Sequence, residues 1–178
     1  NFRLIRLADV YLMYAEAVLM ASGDVNTAVN FIDRIRSRSG VITLSSYMDE
    51  NGGRFPQLHI SEQVHGLQPM VEMSVPSLMT HIQRVERPLE LSFEGHRWKD
   101  LVRWGLVTEV FSELRRDEVW RQDNVEELQI NDGGLEPIFI VERIRPAFFL
   151  SAQNYTPSQH NYLPIPTQEL QSNTKLSE

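Results

Sequence analysis

The amino-acid sequence predicts a mostly α-helical fold, in which a helical hairpin is followed by further packed helices, long loops and little β structure. Apolar residues recur at helical spacing over residues 3–21 and again in the segment that ends at residue 40. A third stretch, residues 86–105, has the apolar content of a core helix although it is rich in charge. With 178 residues, of which 42% are hydrophobic, the chain is long enough for one domain with a sizeable core.

The first predicted element is an antiparallel helical hairpin over residues 3–40. Apolar residues cover most of its first helix, and the polar positions form only a narrow strip made of Arg6, Asp9 and Glu16. Gly23 is a helix stop signal, and either Asp24 or Asn26 after it is a suitable N-cap for the second helix. Gly40 is suited to the end of that second helix.

Residues 41–76 change character, since they include the turn-forming run "MDENGGRFPQLH". Helical spacing then resumes. Pro88 fits best in the first turn of a helix, so either one helix ends near Val85 and another begins there, or a single helix is kinked. Gly105 marks the end of this helical stretch.

The remaining sequence gives weaker signals. Residues 106–135 predict another helix, followed by a loop around "NDGG". The composition of "PIFIVERI" is typical of a strand. The segment "NYLPIPTQELQSN" predicts an extended run punctuated by proline and leading into one short turn.

Composition excludes several classes of function. The formal net charge of -7 argues against a nucleic-acid partner, because phosphate binding needs concentrated lysine and arginine. The absence of cysteine excludes disulfides and thiolate chemistry. No apolar run is long enough to span a bilayer. The chain starts almost directly in a helix, without an initiator Met or a signal-peptide pattern, so we expect an internal start with the N-terminal part and its targeting signal missing.

The stretch "ERPLELSFEGHRWKDLVRWG", residues 86–105, combines eight charged residues with two tryptophans. On a helical wheel its acidic residues interleave with apolar residues on one broad, inward arc. The apolar members of that arc are Leu89, Leu91, Phe93, Trp98, Leu101, Val102 and Trp104. An inward carboxylate must be paired, because desolvating it alone costs several kcal/mol.

Part of the required positive charge lies on the same helix. Glu90 and Arg97 are two turns apart, and Glu94 and Arg97 are at i, i+3. The remaining charge is expected from the arginine-rich end of the second helix, which carries Arg34, Arg36 and Arg38. The sequence therefore predicts a buried ion-pair network that joins these helices, with the members Arg36, Arg38, Glu86, Glu90, Glu94, Arg97 and Asp100.

Two chemical alternatives for the charged helix are less favoured. Paired carboxylates perform acid–base catalysis in glycoside hydrolysis, but that requires one carboxyl with a raised pKa, and neighbouring arginines hold both ionised. His96 and Asp100 stand at the i, i+4 spacing of metal ligands, but a third ligand is not evident nearby. We therefore expect no catalytic residue, no metal and no cofactor.

Four segments, in this order, resemble the C-terminal part of SusD-like (RagB/SusD) proteins. They are "RLADVYLMYAEAVL", "AVNFIDRIRSRSGV", "ERPLELSFEGHRWKDLVRWG" and "YLPIPTQELQSN". The first hairpin also resembles a tetratricopeptide unit, since "SGDVNTAVNFI" has that repeat's Gly-Asp turn followed by its alanine and aromatic positions. The two resemblances agree, because SusD-like proteins carry such repeats in an α-α superhelix.

The resemblance implies a surface lipoprotein of the Bacteroidetes outer membrane. Members of the family bind glycans, or peptides in some branches, and act as a lid on a SusC-type TonB-dependent transporter without being enzymes. Membrane attachment is expected only through a lipid anchor in the missing N-terminal part. The C-terminal end departs from the family pattern, with Thr174 where the family often has proline. The resemblance divides the chain into a hairpin, a variable region, the charged helix, a second variable segment and an extended end, at residues 1–40, 41–80, 81–105, 106–160 and 161–178.

Ligand contacts in this family come largely from variable loops, so the shared motifs are scaffold. Glycan binding needs flat aromatic faces with polar side chains nearby. The candidates in the variable segments are Tyr47, Phe55, Trp120 and Tyr155, with Asn51, Arg54, Gln122 and Asn154 near them. The alternative for each aromatic residue is local packing.

Other functions stay open at this stage. The same fold could bind peptide instead of glycan. A tetratricopeptide-type interaction domain would show further repeats at a period of about 34 residues, and only one good unit is evident. An α-helical carbohydrate hydrolase would lose turnover, without unfolding, when Glu90 or Glu94 is changed to glutamine.

Overall fold

The computed structural model of the chain describes residues 5–56, 70–123, 146–173 and 175. The chain divides into two compact units, Asn1–Arg103 and Trp104–Glu178. The described residues are mostly helical, with one short sheet, so the predicted fold class is confirmed. None of the helices in these residues is both long and apolar enough to cross a membrane.

The first unit begins with the helical hairpin of α1 (Leu7–Ser22) and α2 (Val25–Arg38). Gly23 closes α1 at a φ of 69°, a left-handed conformation that glycine adopts without steric cost. The Asp24 carboxylate then caps α2 by accepting a hydrogen bond from the backbone N–H of Thr27 at 3.0 Å. The two helices therefore pack against each other across a very short connection.

A short helix and a β-hairpin follow. Helix α3 (Leu44–Glu50) starts against α2, because the Asp33 carboxylate accepts from the backbone N–H of Leu44 at 2.6 Å. Strands β1 (Arg54–Pro56) and β2 (Met70–Glu72) pair antiparallel. The region that the sequence assigned to a variable loop thus contains regular structure.

The next helical stretch is continuous through Pro88 but not uniform. Helix α4 (Val75–His81) passes into a π-helical segment (Ile82–Glu86), which is followed directly by the short α5 (Arg87–Glu90). Proline has no N–H for the backbone ladder, and its ring clashes with the preceding turn. The helix therefore does not end near Val85, and the backbone changes to π-helical geometry before the proline.

The prediction of a single charged helix to residue 105 is wrong. Helix α6 (Arg97–Trp104) is separated from α5 by a turn at residues 91–95. Within that turn, Phe93 has a φ of 63° and Gly95 a φ of 75°, both left-handed. Two such residues end helical geometry, so the wheel does not extend across them.

The turn at residues 91–95 explains why several residues that the helical wheel placed on the inward arc are exposed. Leu89 and Phe93 are 72% and 106% exposed, and Trp98 is 39% exposed. Leu91 and Leu101, in contrast, are both buried at 4%. The burial of each residue is therefore set by the orientation of the short segment that carries it, and not by one continuous helix.

The hydrophobic core of the first unit is built mainly from α1, α2, α4 and the segments next to them. Its best buried members are Leu12, Ala15, Leu19, Ala28, Ile32, Leu44, Phe55, Leu78 and Ile82. On α1 and α2 they recur at three, four and seven residues, which is the spacing that predicted the hairpin.

The second unit contains α7 (Val107–Asp123), α8 (Pro146–Asn154), α9 (Pro157–His160) and α10 (Thr167–Ser172), and α7 packs against α8. An extended segment at residues 163–166 precedes α10, which is a helix where the sequence predicted a single turn. The predicted loop at "NDGG" and the predicted strand "PIFIVERI" lie outside the described residues.

Candidate functional site

The most buried charges of the first unit surround Arg87, which is 4% exposed. Its guanidinium donates to Asp9 Oδ1 at 2.8 Å and to both oxygens of Asp100 at 2.8 and 3.1 Å. Arg103 also donates to Asp100, from Nε at 2.9 Å. This cluster joins α1, α5 and α6 through charge-assisted, partly bidentate bonds, which are among the stronger hydrogen bonds in proteins.

A second cluster surrounds Arg6, immediately before α1. Its Nε donates to both carboxylate oxygens of Glu94 at 2.9 and 2.8 Å. Its terminal nitrogens donate to the carboxylate and the backbone carbonyl of Glu90. The hydrogen bond to Glu94 is the main cause that raises the pKa of Arg6 above its ordinary value. Arg38, at the end of α2, binds the same Glu90 carboxylate.

A third cluster fixes the π-helical segment to α2. Glu86 accepts from Arg36 Nε at 2.7 Å and lies 2.8 Å from His81 Nε2. Burial alone raises the pKa of Glu86, but His81 and Arg36 together lower it, and the net result is a pKa below the ordinary 4.5. Glu86 is therefore held as an ion inside the protein.

The ion pairs in these clusters join helical segments that are far apart in the sequence. Asp9, Glu90 and Asp100 each have a guanidinium within hydrogen-bond distance. Both oxygens of Asp100 are occupied by arginine, so a metal ion shared with His96 would have to displace an ion pair. Within the described residues, no group of three or more acidic or histidine side chains is arranged to hold a metal.

Three of the predicted ligand-binding residues lie close together in the first unit. Asn51, at the end of α3, donates to the carbonyl of Tyr47 at 2.8 Å, and Arg54 donates to the carbonyl of Met70 at 3.0 Å. Tyr47 is half-buried, whereas Asn51 and Arg54 are exposed. They form a small polar edge beside the β-hairpin.

Phe55 must be removed from the candidates. It is 0% exposed and lies edge-on to the His81 ring, with 5.2 Å between the ring centroids. On the short strand β1, the side chain of Phe55 points into the core, while that of its neighbour Arg54 points to solvent. A side chain with no accessible surface cannot contact a ligand.

The other candidates lie in the second unit. Tyr155 packs edge-on to Phe111 at 5.0 Å, and its hydroxyl donates to Asn161. Asn154 is exposed at the end of α8, and Trp120 is half-buried in α7. The side chain of Gln122 lies outside the described residues. The predicted set is therefore divided between the two units.

An aromatic cluster that the sequence analysis did not select lies on the α1–α2 hairpin. Phe31 is 5.3 Å from Tyr11 and 4.5 Å from Tyr14 between ring centroids. The Arg34 guanidinium stands 4.6 Å from the Phe31 centroid and 5.6 Å from that of Tyr11, which is cation–π geometry. We call these four residues the hairpin aromatic cluster.

Comparison with known proteins identifies the protein family. The sequence profile of the SusD family matches residues 1–178, which is the whole of it. The chain belongs to the SusD family. SusD-like proteins are nutrient-binding and non-catalytic as a class, and they are associated with the bacterial outer membrane.

A curated relative supports the same assignment. This SusD-like chain is 32% identical over 111 residues to SusD-like protein P2 from Formosa agariphila. The match covers 62% of this chain and 18% of the relative, so the chain spans less than a fifth of the relative's length. No solved structure matched this chain.

Some arginines of this SusD-like chain have interaction partners that differ from the predicted ones. Arg36 and Arg38 bind Glu86 and Glu90, whereas Arg34 belongs to the hairpin aromatic cluster. Arg97, predicted to pair along its own helix, donates to the carbonyl of Gln83 at 2.8 Å. The turn at residues 91–95 interrupts the helix along which that pairing was predicted.

Six members of the ion-pair network were not predicted; they lie on or next to α1, at the two ends of the π-helical segment, and on α6. These are Arg6, Asp9, Glu16, His81, Arg87 and Arg103. A signal for the first three was present, because they form the polar strip of an otherwise apolar helix. For Arg87 and His81 no sequence signal gives the partner, since the pairs are formed by chain folding.

An open groove of about 580 Å³ lies between α1 and α6. Its apolar wall includes Met13, Ala17 and Met20, and its polar wall includes Lys99. Arg87 and Asp100 contribute to the lining, but they already bind each other. Most of the charged side chains that line this groove therefore take part in the ion-pair network.

Proposed function

We propose that this SusD-like protein binds a nutrient glycan at the bacterial cell surface, without chemical turnover, and delivers it to a SusC-type TonB-dependent transporter. The observation that carries this proposal is the match of the SusD family profile to residues 1–178. The network geometry agrees with it, because Glu90 and Asp100 are bound by arginine and the pKa of Glu86 is lowered, whereas a general acid requires a raised pKa.

The proposed contacts in the first unit are Tyr47, Asn51 and Arg54, which combine one aromatic side chain with exposed polar groups. In the second unit the proposed contacts are Trp120, Gln122, Asn154 and Tyr155. Sugar binding uses apolar faces against C–H surfaces and polar groups for hydroxyls, and both kinds of side chain occur in each set.

The proposed location is the outer surface of the outer membrane, with a lipid anchor in the N-terminal part of the full-length protein. The proposed partner is the transporter, and no nucleic acid is involved. A pull-down of the tagged full-length protein from solubilised outer membranes tests the partner. Recovery of a TonB-dependent transporter supports the delivery role, and its absence under conditions that retain ligand binding contradicts that role.

The ligand class is tested by calorimetry with the full-length protein and with this chain. The panel contains plant, host and microbial glycans and a peptide mixture. Binding of one glycan class by the full-length protein supports nutrient capture, and binding by the chain alone locates contacts within it. Peptide binding without glycan binding would instead place the protein among peptide-importing members.

Catalysis is tested by changing Glu90 to glutamine. If the network is structural, Glu90→Gln lowers the free energy of unfolding by a few kcal/mol, because it removes one side of a partly buried ion pair. A hydrolase would show turnover of a glycan that is lost in this variant while the fold remains intact. Detection of such turnover would contradict the proposal of a binding protein.

A further inference from the structure

The π-helical segment Ile82–Glu86 ends where its backbone hydrogen-bond pattern meets Pro88. The N–H of Arg87 donates to the carbonyl of Ile82, which is the i to i+5 pattern of a π-helix. The next bond of that pattern would reach the carbonyl of Gln83 from residue 88, and a proline has no N–H to donate. The backbone of the segment therefore leaves the Gln83 carbonyl without its π-helical donor.

Arg97, at the start of α6, occupies the place of that missing donor. Its Nη1 donates to the Gln83 carbonyl at 2.8 Å, across 14 residues of sequence. Both residues are half-buried, and a backbone carbonyl that is shielded from water and unpaired costs free energy comparable to a lost hydrogen bond. A charged guanidinium is also a stronger donor than a neutral amide. The side chain of Arg97 therefore completes the backbone pattern that Pro88 interrupts.

The helical register of this segment decides which side chains meet. Glu86 lies 2.8 Å from His81 Nε2, at a separation of five residues, and it also accepts from Arg36 Nε at 2.7 Å. In an α-helix, side chains five residues apart point about 140° away from each other. His81 and Glu86 are at most 6% exposed, so an α-helical register would separate two buried polar side chains that now contact each other.

We propose that Arg97 locks the π-helical register of this segment, so that the position of α6 controls whether Glu86 meets His81. When Arg97 leaves the Gln83 carbonyl, the N–H of Arg87 takes its place, which gives the α-helical pattern of i to i+4, and Glu86 turns away from His81. The segment is thus a two-state device that links α6 to the end of α2. This inference goes beyond the proposed function and does not depend on the ligand.

The test is nuclear magnetic resonance on the whole, isotope-labelled chain. Scalar couplings across hydrogen bonds identify the carbonyl that accepts from the N–H of Arg87, and hydrogen exchange measures how often that N–H opens. The variants are Arg97→Met, Arg97→Lys and Pro88→Ala, together with Arg97→Met in the Pro88→Ala background. Lys99→Met is the control, because it removes another cation from α6, at an exposed position.

In wild type, the coupling is expected to join the Arg87 N–H to the carbonyl of Ile82. In Arg97→Met, a coupling to the carbonyl of Gln83 appears, and the exchange rate of the Arg87 N–H rises at least about tenfold, because a charge-assisted hydrogen bond is lost. Pro88→Ala supplies a backbone N–H at position 88, so Arg97→Met in that background is expected to raise the rate less than about threefold. Arg97→Lys is expected to fall between wild type and Arg97→Met, and the control to match wild type.

Other results overturn the inference. A coupling from the Arg87 N–H to the Gln83 carbonyl in wild type would mean that the segment is α-helical in solution. An exchange rate in Arg97→Met that matches wild type, or an equal rise with and without Pro88→Ala, would mean that Arg97 does not act through this carbonyl. If exchange rises but the coupling stays on Ile82, the register does not switch. Should Arg97→Met fail to fold, the two backgrounds are compared with Arg97→Lys, and an equal rise again contradicts the inference.

Discussion

At the scale of single residues, Arg87 shows why this sequence carries so much charge in its interior. It lies between Asp9 and Asp100, and all three residues are at most 5% exposed. Removing the cation would leave Asp9 buried without its guanidinium partner, and an uncompensated buried charge costs far more than an exposed one. The charge in this region holds three helical segments together.

Substitution of Arg87 by methionine tests this directly. Arg87→Met keeps the apolar stem, and the expected loss in the free energy of unfolding is about 3–5 kcal/mol. Arg38→Met is the control, because the Arg38 side chain is 57% exposed and Glu90 keeps its contact with Arg6. That control is expected to lose less than about 1 kcal/mol in urea unfolding followed by circular dichroism. Equal losses in the two variants would contradict a special role for Arg87.

Glu86 predicts a pH dependence of stability. Its pKa is lower in the folded protein than the ordinary 4.5, so the unfolded state takes up the proton first as the pH falls. The stabilisation from Glu86 is therefore fully present above pH 4.5 and is lost as the pH falls through the lower, folded pKa. The difference in unfolding free energy between wild type and Glu86→Gln should be largest at neutral pH and shrink in acid.

The control for this measurement is Glu50→Gln, which removes an exposed carboxylate on α3. Its stability is expected to follow that of wild type across the pH range. A gap between wild type and Glu86→Gln that stays constant from pH 7 to below the folded pKa would show that the Glu86 charge is not the stabilising group.

At this scale, the sequence predicted that buried ion pairs join the helices, but it predicted only some of the paired residues. The excess of inward acids required positive charge from another helix, and Arg36 and Arg38 lie beside Glu86 and Glu90. The contacts of Arg6 with Glu90 and Glu94 join residues more than 80 positions apart, and no local spacing encodes them. The burial of Phe55 was missed for a similar reason, because a strand of three residues has too short a pattern to show which face is inward.

At the scale of secondary-structure elements, the turn at residues 91–95 decides how the charged segment folds. It allows Glu94 to reach Arg6 while α6 carries Asp100 to Arg87. A straight helix through the same residues would place all the acids along one continuous stripe. The hairpin of α1 and α2 was predictable because its periodicity, stop signal and cap agree, whereas the turn depends on a phenylalanine in a conformation that propensity disfavours.

Substitution of Phe93 tests whether the backbone conformation of that turn is strained. Its φ of 63° is unfavourable for a residue with a Cβ, and its side chain is fully exposed in this chain, so it makes little compensating contact. Phe93→Gly is therefore expected to leave the free energy of unfolding unchanged or to raise it by up to about 1 kcal/mol. The neighbouring Leu91→Ala, at a buried position, is expected to lower it by about 2–5 kcal/mol. A large loss with Phe93→Gly would show that the phenylalanine side chain is itself a structural contact.

At the scale of the whole molecule, the described residues of the first unit contain both the hydrophobic core cluster and the ion-pair network described above. The core residues all lie between Ala8 and Leu91, and the ion pairs among α1, α2, α5 and α6 join residues from Arg6 to Arg103. Family membership was predictable from the order of four motifs, since these carry the hairpin and the kinked segment. The identity of the ligand was not predictable from the sequence, because the motifs specify helix packing and the candidate ligand contacts lie between the motifs.

This distribution predicts that residues 1–103 fold without the rest of the chain. The fragment is expected to show a helical circular dichroism spectrum and one cooperative urea transition, because burial of an apolar core is the main source of stability. Arg87→Met should lower the urea midpoint of the fragment, as is expected for the whole chain, since Asp9, Arg87 and Asp100 are all present. A matched fragment that ends at residue 85 retains most of the hairpin core but lacks Glu86, Arg87, Glu90 and Asp100, and it is expected to unfold at lower urea concentration. If the two fragments unfold alike, the buried ion pairs contribute little to the stability of this unit, and the hydrophobic contacts of α1, α2 and α4 alone would account for it.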